Sequence, residues 1–282
     1  MLAYRSRRSY DGQMIQRLSM SDEETAGPPQ GVGGIQSVAR ALSILELFNE
    51  RRVELSTNEI AALTGLNRGT TYRFCRTLLS LGYLEEIRVS VFHPGIRCIS
   101  LAQAALGSRE IVQVATPFLE RLRDRVQETV NMAVLDGVDV VYLVRLLNSD
   151  LVALRLGVGS RVPAYATSLG RSILAFLPEP QSSAILDRSE LHALTRWTLA
   201  TREAIEDDLA AIRRNGYAYN DQGLAPGVRG VAAPILIDGR PVASINLSIA
   251  RPLQPREVPK ELGPEVIATA REIGARATEL HL

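Results

Sequence analysis

The 282-residue chain has one lysine, two cysteines, three histidines and no long apolar run. Each scarcity removes a class of function. Cys75 and Cys98 are too few for a disulfide framework and too few to hold zinc without help. His93, His192 and His281 lie far apart and lack metal-ligand spacing, so neither a metal site nor a cofactor is expected. The longest apolar candidate, 138–147, is interrupted by Asp139 and Arg145 and falls short of the ~20 residues that cross a bilayer. The N-terminus shows no apolar core and no cleavage signal, so a cytoplasmic protein without a membrane partner is expected. The net charge of +1 excludes a histone-like polycation, and with Lys260 as the one lysine any local basic surface must be built from arginine.

What is present is ordinary globular composition. Hydrophobic residues make up 46% and charged residues 22%, enough apolar side chain to build cores and too much for a disordered, collagen-like or coiled-coil chain. At about 150 residues per domain the length predicts two domains. Residues 1–33 are polar and interrupted by Ala26-Gly27-Pro28-Pro29-Gln30-Gly31, and read as a disordered tail. Residues 34–98 carry three helical patterns, 37–48, 57–64 and 67–81, followed by two short strands, 83–86 and 89–92. Ser56 or Thr57 can cap the second helix, with Glu59 completing a capping box, and Gly65 and Gly82 end the second and third. A linker helix is expected over 99–112.

The remainder, 113–282, alternates the two periods. Helices are expected at 117–127, 168–176, 204–214 and 263–280, and strands at 129–135, 138–146, 151–156, 217–220, 228–237 and 241–249. Asp136-Gly137 and Asp238-Gly239 each join adjacent apolar runs, the strongest short hairpin signal. Adjacent hairpins flanked by helices predict an antiparallel α+β domain.

Helix, tight turn, helix and hairpin within about 65 residues is the pattern of a winged helix-turn-helix. In the third helix Thr71, Phe74, Cys75 and Leu78 form the buried stripe. The opposite stripe is Gly69, Tyr72, Arg73 and Arg76, with Arg68 and Thr70 in the first turn. Three arginines, no acid, an aromatic ring and small hydroxyls suit a major groove, because a guanidinium pairs bidentately with guanine and also neutralises phosphate. Asn67 is either the helix cap or a DNA contact, and Gly69 allows close approach to the DNA backbone. Arg88, Ser90 and His93, near the hairpin tip, are either phosphate or minor-groove contacts or solvated turn residues. Ser37 and Arg40 on the first helix, with Ser56 and Thr57 on the second, complete the candidate DNA face.

Several stretches together resemble the IclR family of bacterial transcriptional regulators. They are Ile35-Gln36-Ser37-Val38-Ala39-Arg40-Ala41-Leu42, then Ile60-Ala61-Ala62-Leu63-Thr64-Gly65-Leu66-Asn67-Arg68, and Leu78 through Tyr83. Asn131-Met132-Ala133-Val134-Leu135-Asp136-Gly137 and Val141-Tyr142-Leu143-Val144-Arg145 are similar to the family's first hairpin of the second domain. Pro163-Ala164-Tyr165-Ala166-Thr167-Ser168-Leu169-Gly170-Arg171 resembles the branch that governs aromatic catabolism through the β-ketoadipate pathway.

The resemblance implies a GAF-like effector domain that binds a small organic acid, and a homo-dimer or tetramer on a double-stranded DNA operator. Thr167, Ser168, Leu169 and Gly170 open a helix whose free N–H groups favour a carboxylate, unless they serve only as a cap. Asn246 and Ser248 are two apart and share one face of the last strand, with Ile245, Leu247 and Ile249 on the other. The family pattern implies that Asn246 and Ser248 touch ligand, as does Asp221. Gly230 stands where relatives often carry serine or cysteine, and Gly223 and Ala225 where they often carry acids. Arg145 meets either an effector carboxylate or a surface ion pair; Tyr142 and Tyr165 either stack on a ligand ring or sit in the core.

The leading reading is a ligand-responsive transcription factor sensing a metabolite of aromatic catabolism. Alternatives are a regulator of another carboxylate pathway, such as glyoxylate, acetate or sugar-acid metabolism, and a DNA-binding protein whose second half only oligomerises. An enzyme is not expected. No nucleophile has a neighbouring base, and Gly157-Val158-Gly159-Ser160-Arg161 fits no phosphate-loop spacing.

Overall fold

A computed structural model describes residues 35–49, 52–148, 156–249 and 257–282. The tail expected over 1–33 lies outside these residues, as does all but Leu156 of the strand expected at 151–156. The chain divides into two compact units between Ser108 and Arg109.

The first unit holds α1 (Gln36–Glu46), β1 (Leu55–Ser56), α2 (Thr57–Thr64), α3 (Arg68–Ser80), β2 (Leu84–Arg88), β3 (Val91–Pro94) and α4 (Arg97–Gly107). Helices α2 and α3 start on capping side chains. Ser56 caps α2 in a reciprocal capping box with Glu59, and Gly65 ends it in the left-handed region at φ 67°. Hydrogen bonding to Ser56 also holds the Glu59 carboxyl below its usual pKa. Alanine at Ser56 is expected to destabilise the unit by about 1 kcal/mol, read as a lower urea midpoint at unchanged slope. Ile44, Leu55, Ile60, Cys75, Leu78, Leu84 and Phe92 close a single small core.

The hairpin differs from its expected place by about two residues. Its turn is Val89-Ser90, with Ser90 at φ 59° and its N–H bonded to the Glu86 carboxylate at 2.8 Å. The Glu86 bond pins this turn two residues beyond where hydrophobicity alone places it. A third strand, β1, pairs with β3 through Leu55 opposite Phe92 and Ser56 opposite Val91, in the order β1-β3-β2. Two residues carry too little periodicity to be read as a strand.

The second unit contains α5 (Glu110–Val126), β4 (Thr129–Asp136), β5 (Asp139–Leu146), β6 (Arg161–Pro163), α6 (Ser168–Phe176), α7 (Glu179–Asp187), α8 (Arg202–Asn215), β7 (Ala218–Asp221), β8 (Arg229–Ile237), β9 (Arg240–Ile249) and α9 (Val258–Glu279). The connector expected over 99–112 is divided: α4 ends at Gly107 and α5 begins at Glu110. Two helices start five or more residues earlier than periodicity predicts. Pro117 lies inside α5 and Pro264 inside α9, because buried residues before each proline, Ala115 in one and Val258 and Leu262 in the other, carry the stripe through it. Helix α7 has no counterpart among the expected helices; Pro178 and Pro180 bracket its start, and its apolar pattern is weak.

All six strands of the sheet are antiparallel, in the order β6-β5-β4-β9-β8-β7. Helix α6 lies on one face, where Ser172 Oγ meets Ser244 Oγ at 2.6 Å. Helices α5 and α9 cover the opposite face, against the buried row Ile245, Leu247 and Ile249. The alternation of β9 therefore decides which residues can meet the N-terminus of α6.

Candidate functional site

Helix α3 presents the predicted division of faces. Thr71, Cys75 and Leu78 are buried, and Phe74 is half-buried. Burial pushes the Cys75 thiol up to about 11, so it is an inert core group. Arg68, Gly69, Tyr72, Arg73 and Arg76 are exposed, and Thr70 is half-buried. Asn67 is the cap: its Oδ1 accepts the Thr70 N–H at 2.8 Å. A Cβ on Gly69 would meet only Asn67 Oδ1, at 3.6 Å, so nothing inside the fold requires glycine there. Its missing side chain leaves that surface open.

Other members of the predicted DNA face are engaged differently. Arg76 pairs with Glu86 at 3.3 Å and Arg88 with Glu54, both at exposed positions where an ion pair is worth little. Ser37 is exposed and Arg40 half-buried on α1. Ser56 serves its capping box. Thr57 is buried, with its N–H on the Ser90 carbonyl at 2.9 Å, so it is a joint between α2 and the wing. His93 is not at the tip: it stands on β3 opposite Glu85, with Nε2 3.7 Å from that carboxylate.

In the second unit, Arg145 on β5, Asn131 on β4, Asn246 on β9 and Ala232 on β8 are successive cross-strand neighbours. Direct opposition puts their side chains on one face. Arg145 donates to Asn131 Oδ1 at 3.3 Å. Asn131 Nδ2 donates to Asn246 Oδ1 at 2.8 Å and to Ser248 Oγ at 3.3 Å. Asn246 Nδ2 donates in turn to Ser168 Oγ, at 3.5 Å, in the first turn of α6. The expected pair Asn246 and Ser248 thus faces α6 rather than solvent, and Arg145 is tied to it through a buried amide.

Thr167 caps α6 by accepting the Gly170 N–H at 2.9 Å. That leaves the Ser168 and Leu169 N–H groups beyond the helical ladder. A Cβ on Gly170 would fall 2.2 Å from the Ala164 carbonyl oxygen, so glycine is required for the chain to fold back here. At Gly230 a Cβ would stand 2.7 Å from Ser168 Oγ, and the small residue lets Ser168 lie against the sheet.

Asp221 is placed differently from the expectation. It pairs with Arg229 at 2.8 Å, directly across the β7–β8 ladder. Its neighbour Asn220 takes the α6 side, donating to the Ala166 carbonyl at 3.2 Å and accepting from Arg171 at 3.2 Å. The strand alternation turns the amide inward and the acid away. Tyr142 is a core aromatic, its hydroxyl pushed up to about 12 by burial. The Tyr165 hydroxyl bonds both the N–H and the carbonyl of His192.

Three residues escape the sequence reading: Asn131, Asn220 and Arg171. Arg171 is 3% exposed and binds Asp208 at 3.0 Å, the Tyr219 carbonyl at 3.0 Å and Asn220. Burial lowers its pKa and raises that of Asp208. Among the described residues no group of three or more His, Cys, Asp or Glu could hold a metal ion, and no helix is long and apolar enough to cross a membrane.

Comparison with known proteins places both units. Residues 37–88 match the IclR helix-turn-helix domain, and residues 103–275 match the bacterial transcriptional regulator IclR C-terminal family. The chain is 34% identical over 216 residues to the HTH-type transcriptional regulator XynR of Escherichia coli, covering 76% of this chain and 86% of XynR. It is 34% identical over 215 residues to the Pca regulon regulatory protein of Pseudomonas putida, covering 75% of this chain and 73% of that protein. The solved structure of an IclR homologue from Microbacterium hydrocarbonoxydans, complexed with 4-hydroxybenzoate, superposes with a TM-score of 0.68 at 27% identity, covering 84% of this chain and 99% of that one. With both of its units matched in order, the chain belongs to the IclR family of bacterial DNA-binding transcriptional regulators, a family of regulators and not of enzymes.

Proposed function

We propose that this regulator senses a small organic acid of aromatic catabolism, and that the acid binds where the Arg145–Asn131–Asn246 row meets the N-terminus of α6. The observation that carries this reading is that row: a half-buried guanidinium bonded to a buried amide, which bonds a second buried amide that reaches Ser168 at the start of α6. Thr167, Ser168, Leu169, Gly170, Gly230 and Ser248 complete the site. Asn220 replaces Asp221 in it. Two relatives support the ligand class: one is named for the Pca regulon, and the other was solved with 4-hydroxybenzoate.

Residues 34–98 read the operator, with Arg68, Tyr72, Arg73 and Arg76 facing the major groove and Ser37, Arg40 and Arg88 nearer the phosphates. Residues 99–112 connect this unit to the sensing unit, 113–282. The working form is a homo-oligomer built on a dimer. Ile35, the residue before α1, is 73% exposed and Val38 and Leu42 on α1 are 52% exposed, one apolar stripe in a helix-turn-helix unit, a motif that reads paired half-sites as a dimer. A second copy covers that stripe. The protein acts in the cytoplasm, where its operator is.

The test measures operator affinity and thermal stability with 4-hydroxybenzoate, protocatechuate and succinate. An aromatic acid is expected to raise the melting temperature and shift operator affinity. Asn246→Ala with Ser248→Ala is expected to move the half-effective concentration up by about tenfold or more, at unchanged operator affinity without effector. Stabilisation by succinate alone would move the reading to another carboxylate pathway. No response to any acid would leave the second unit as an oligomerisation domain.

A further inference from the structure

We infer that Asn131 is a specificity-determining residue: oriented by Arg145, it sets the direction of a hydrogen-bond chain that presents the Ser168 and Ser248 hydroxyls as donors, so that the site selects a ligand whose facing atoms are acceptors. This rests on the placement of the effector site proposed above.

The direction follows from the chemistry of each group. A guanidinium has donors and no acceptor. The amide atom that meets Arg145 must therefore be the Asn131 oxygen, as the 3.3 Å contact has it. Asn131 is fully buried, and turning it over would set its NH2 against the guanidinium. Its NH2 then points at β9, where one hydrogen goes to Asn246 Oδ1 and the other to Ser248 Oγ. With its oxygen occupied, Asn246 presents its own NH2 to Ser168 Oγ. Both serine oxygens thus accept a bond from an amide, and both keep their protons for a further partner. A carboxylate offers two acceptor oxygens and no donor, and meets two such hydroxyls without conflict. A primary amide offers one acceptor and one donor, and its NH2 opposes one of them. Arg145 discriminates from the far end of the chain, through Asn131, rather than by touching the ligand.

Asn131→Asp reverses the chain with almost no change of shape. Two carboxylate oxygens cannot donate to Asn246, so Asn246 turns its NH2 to the new carboxylate and its oxygen to Ser168. Ser168 and Ser248 then spend their protons inside the protein and offer lone pairs to the ligand.

The experiment uses the full chain. It compares dissociation constants, by calorimetry, for 4-hydroxybenzoate against 4-hydroxybenzamide and for succinate against succinamide. The wild-type protein is expected to prefer the acid, and Asn131→Asp to reduce that preference by about tenfold or more. Neutral 4-hydroxybenzaldehyde, an acceptor at the same position, is expected to weaken in parallel, which separates the chain's direction from the added charge. Arg145→Lys keeps donors and charge and is expected to keep the preference. Arg145→Met is expected to lose it; this substitution, at a half-buried position, gives the answer if Asn131→Asp does not fold. Acid binding with the acid-to-amide ratio unchanged in both Asn131→Asp and Arg145→Met would overturn the inference and leave the site standing. If the wild-type protein binds neither acid, the placement of the site falls, and the inference with it.

Discussion

Alanine at both Arg68 and Arg73 is expected to weaken operator binding by about 2–6 kcal/mol, roughly thirtyfold to twenty-thousandfold, while leaving the fold intact. Both side chains are exposed, Arg68 in the first turn of α3 and Arg73 on its outer stripe, and the ion pairs beside them belong to Arg76 and Arg88. Removing them costs the unit little stability, because surface substitutions away from caps and cores stay within about 0.5 kcal/mol. Anisotropy titrations at two salt concentrations separate their roles. If they read guanine edges, the loss is large on the operator and small on scrambled DNA. If they only neutralise phosphate, both DNAs lose affinity together and the salt slope falls by about one for each arginine. Unchanged operator affinity would remove α3 as the recognition helix.

The second large effect concerns stability. Replacing Arg171 with methionine is expected to destabilise the second unit by about 3 kcal/mol, near the lower end for breaking a buried ion pair, because Asp208 keeps partial contact with solvent. For a unit of this size that is roughly 10 °C in melting temperature. The loss is pH-dependent with a definite sign. Burial already raises the Asp208 carboxyl above its usual value, against the opposing attraction of Arg171. Without the cation it rises further, so the folded variant holds a proton that the unfolded chain releases. Stability of the variant relative to the wild type therefore falls as pH rises through that window, and the deficit narrows on acidification. A deficit that does not change with pH would mean that Arg171 acts through packing and its carbonyl contacts alone.

The legible parts of this molecule are those governed by local chemistry. The face of α3 can be read because a helix repeats every 3.6 residues, and Asn67, Ser56 and Thr167 take the capping roles their types favour. The sheet's hairpins follow from two Asp-Gly turns. What stays hidden depends on register. Counting back from the Asp136–Asp139 pair puts Asn131 opposite Val144; a bulge between Met132 and Ala133 moves it to Arg145. One residue of slip separates a buried amide facing an apolar strand from one facing a guanidinium. Asp221 and Asn220 exchange roles for the same reason, since adjacent strand residues point to opposite faces. Arg171 is hidden because its partners come from β7 and α8, far along the chain.

The order β6-β5-β4-β9-β8-β7 also has a consequence in time. The strands that close the first unit lie within residues 55–94, and its core can assemble as soon as that stretch is made. The centre of the large sheet joins Asn131 to Asn246, 115 positions later. At 5–20 residues per second, synthesis leaves β4 without its β9 neighbour for roughly 6–23 s. During that interval the β4 edge, rich in buried-type residues from Val130 to Val134, is exposed to other chains. A nascent chain passes through a state in which its DNA-binding unit has closed and its sensing unit still offers an open strand.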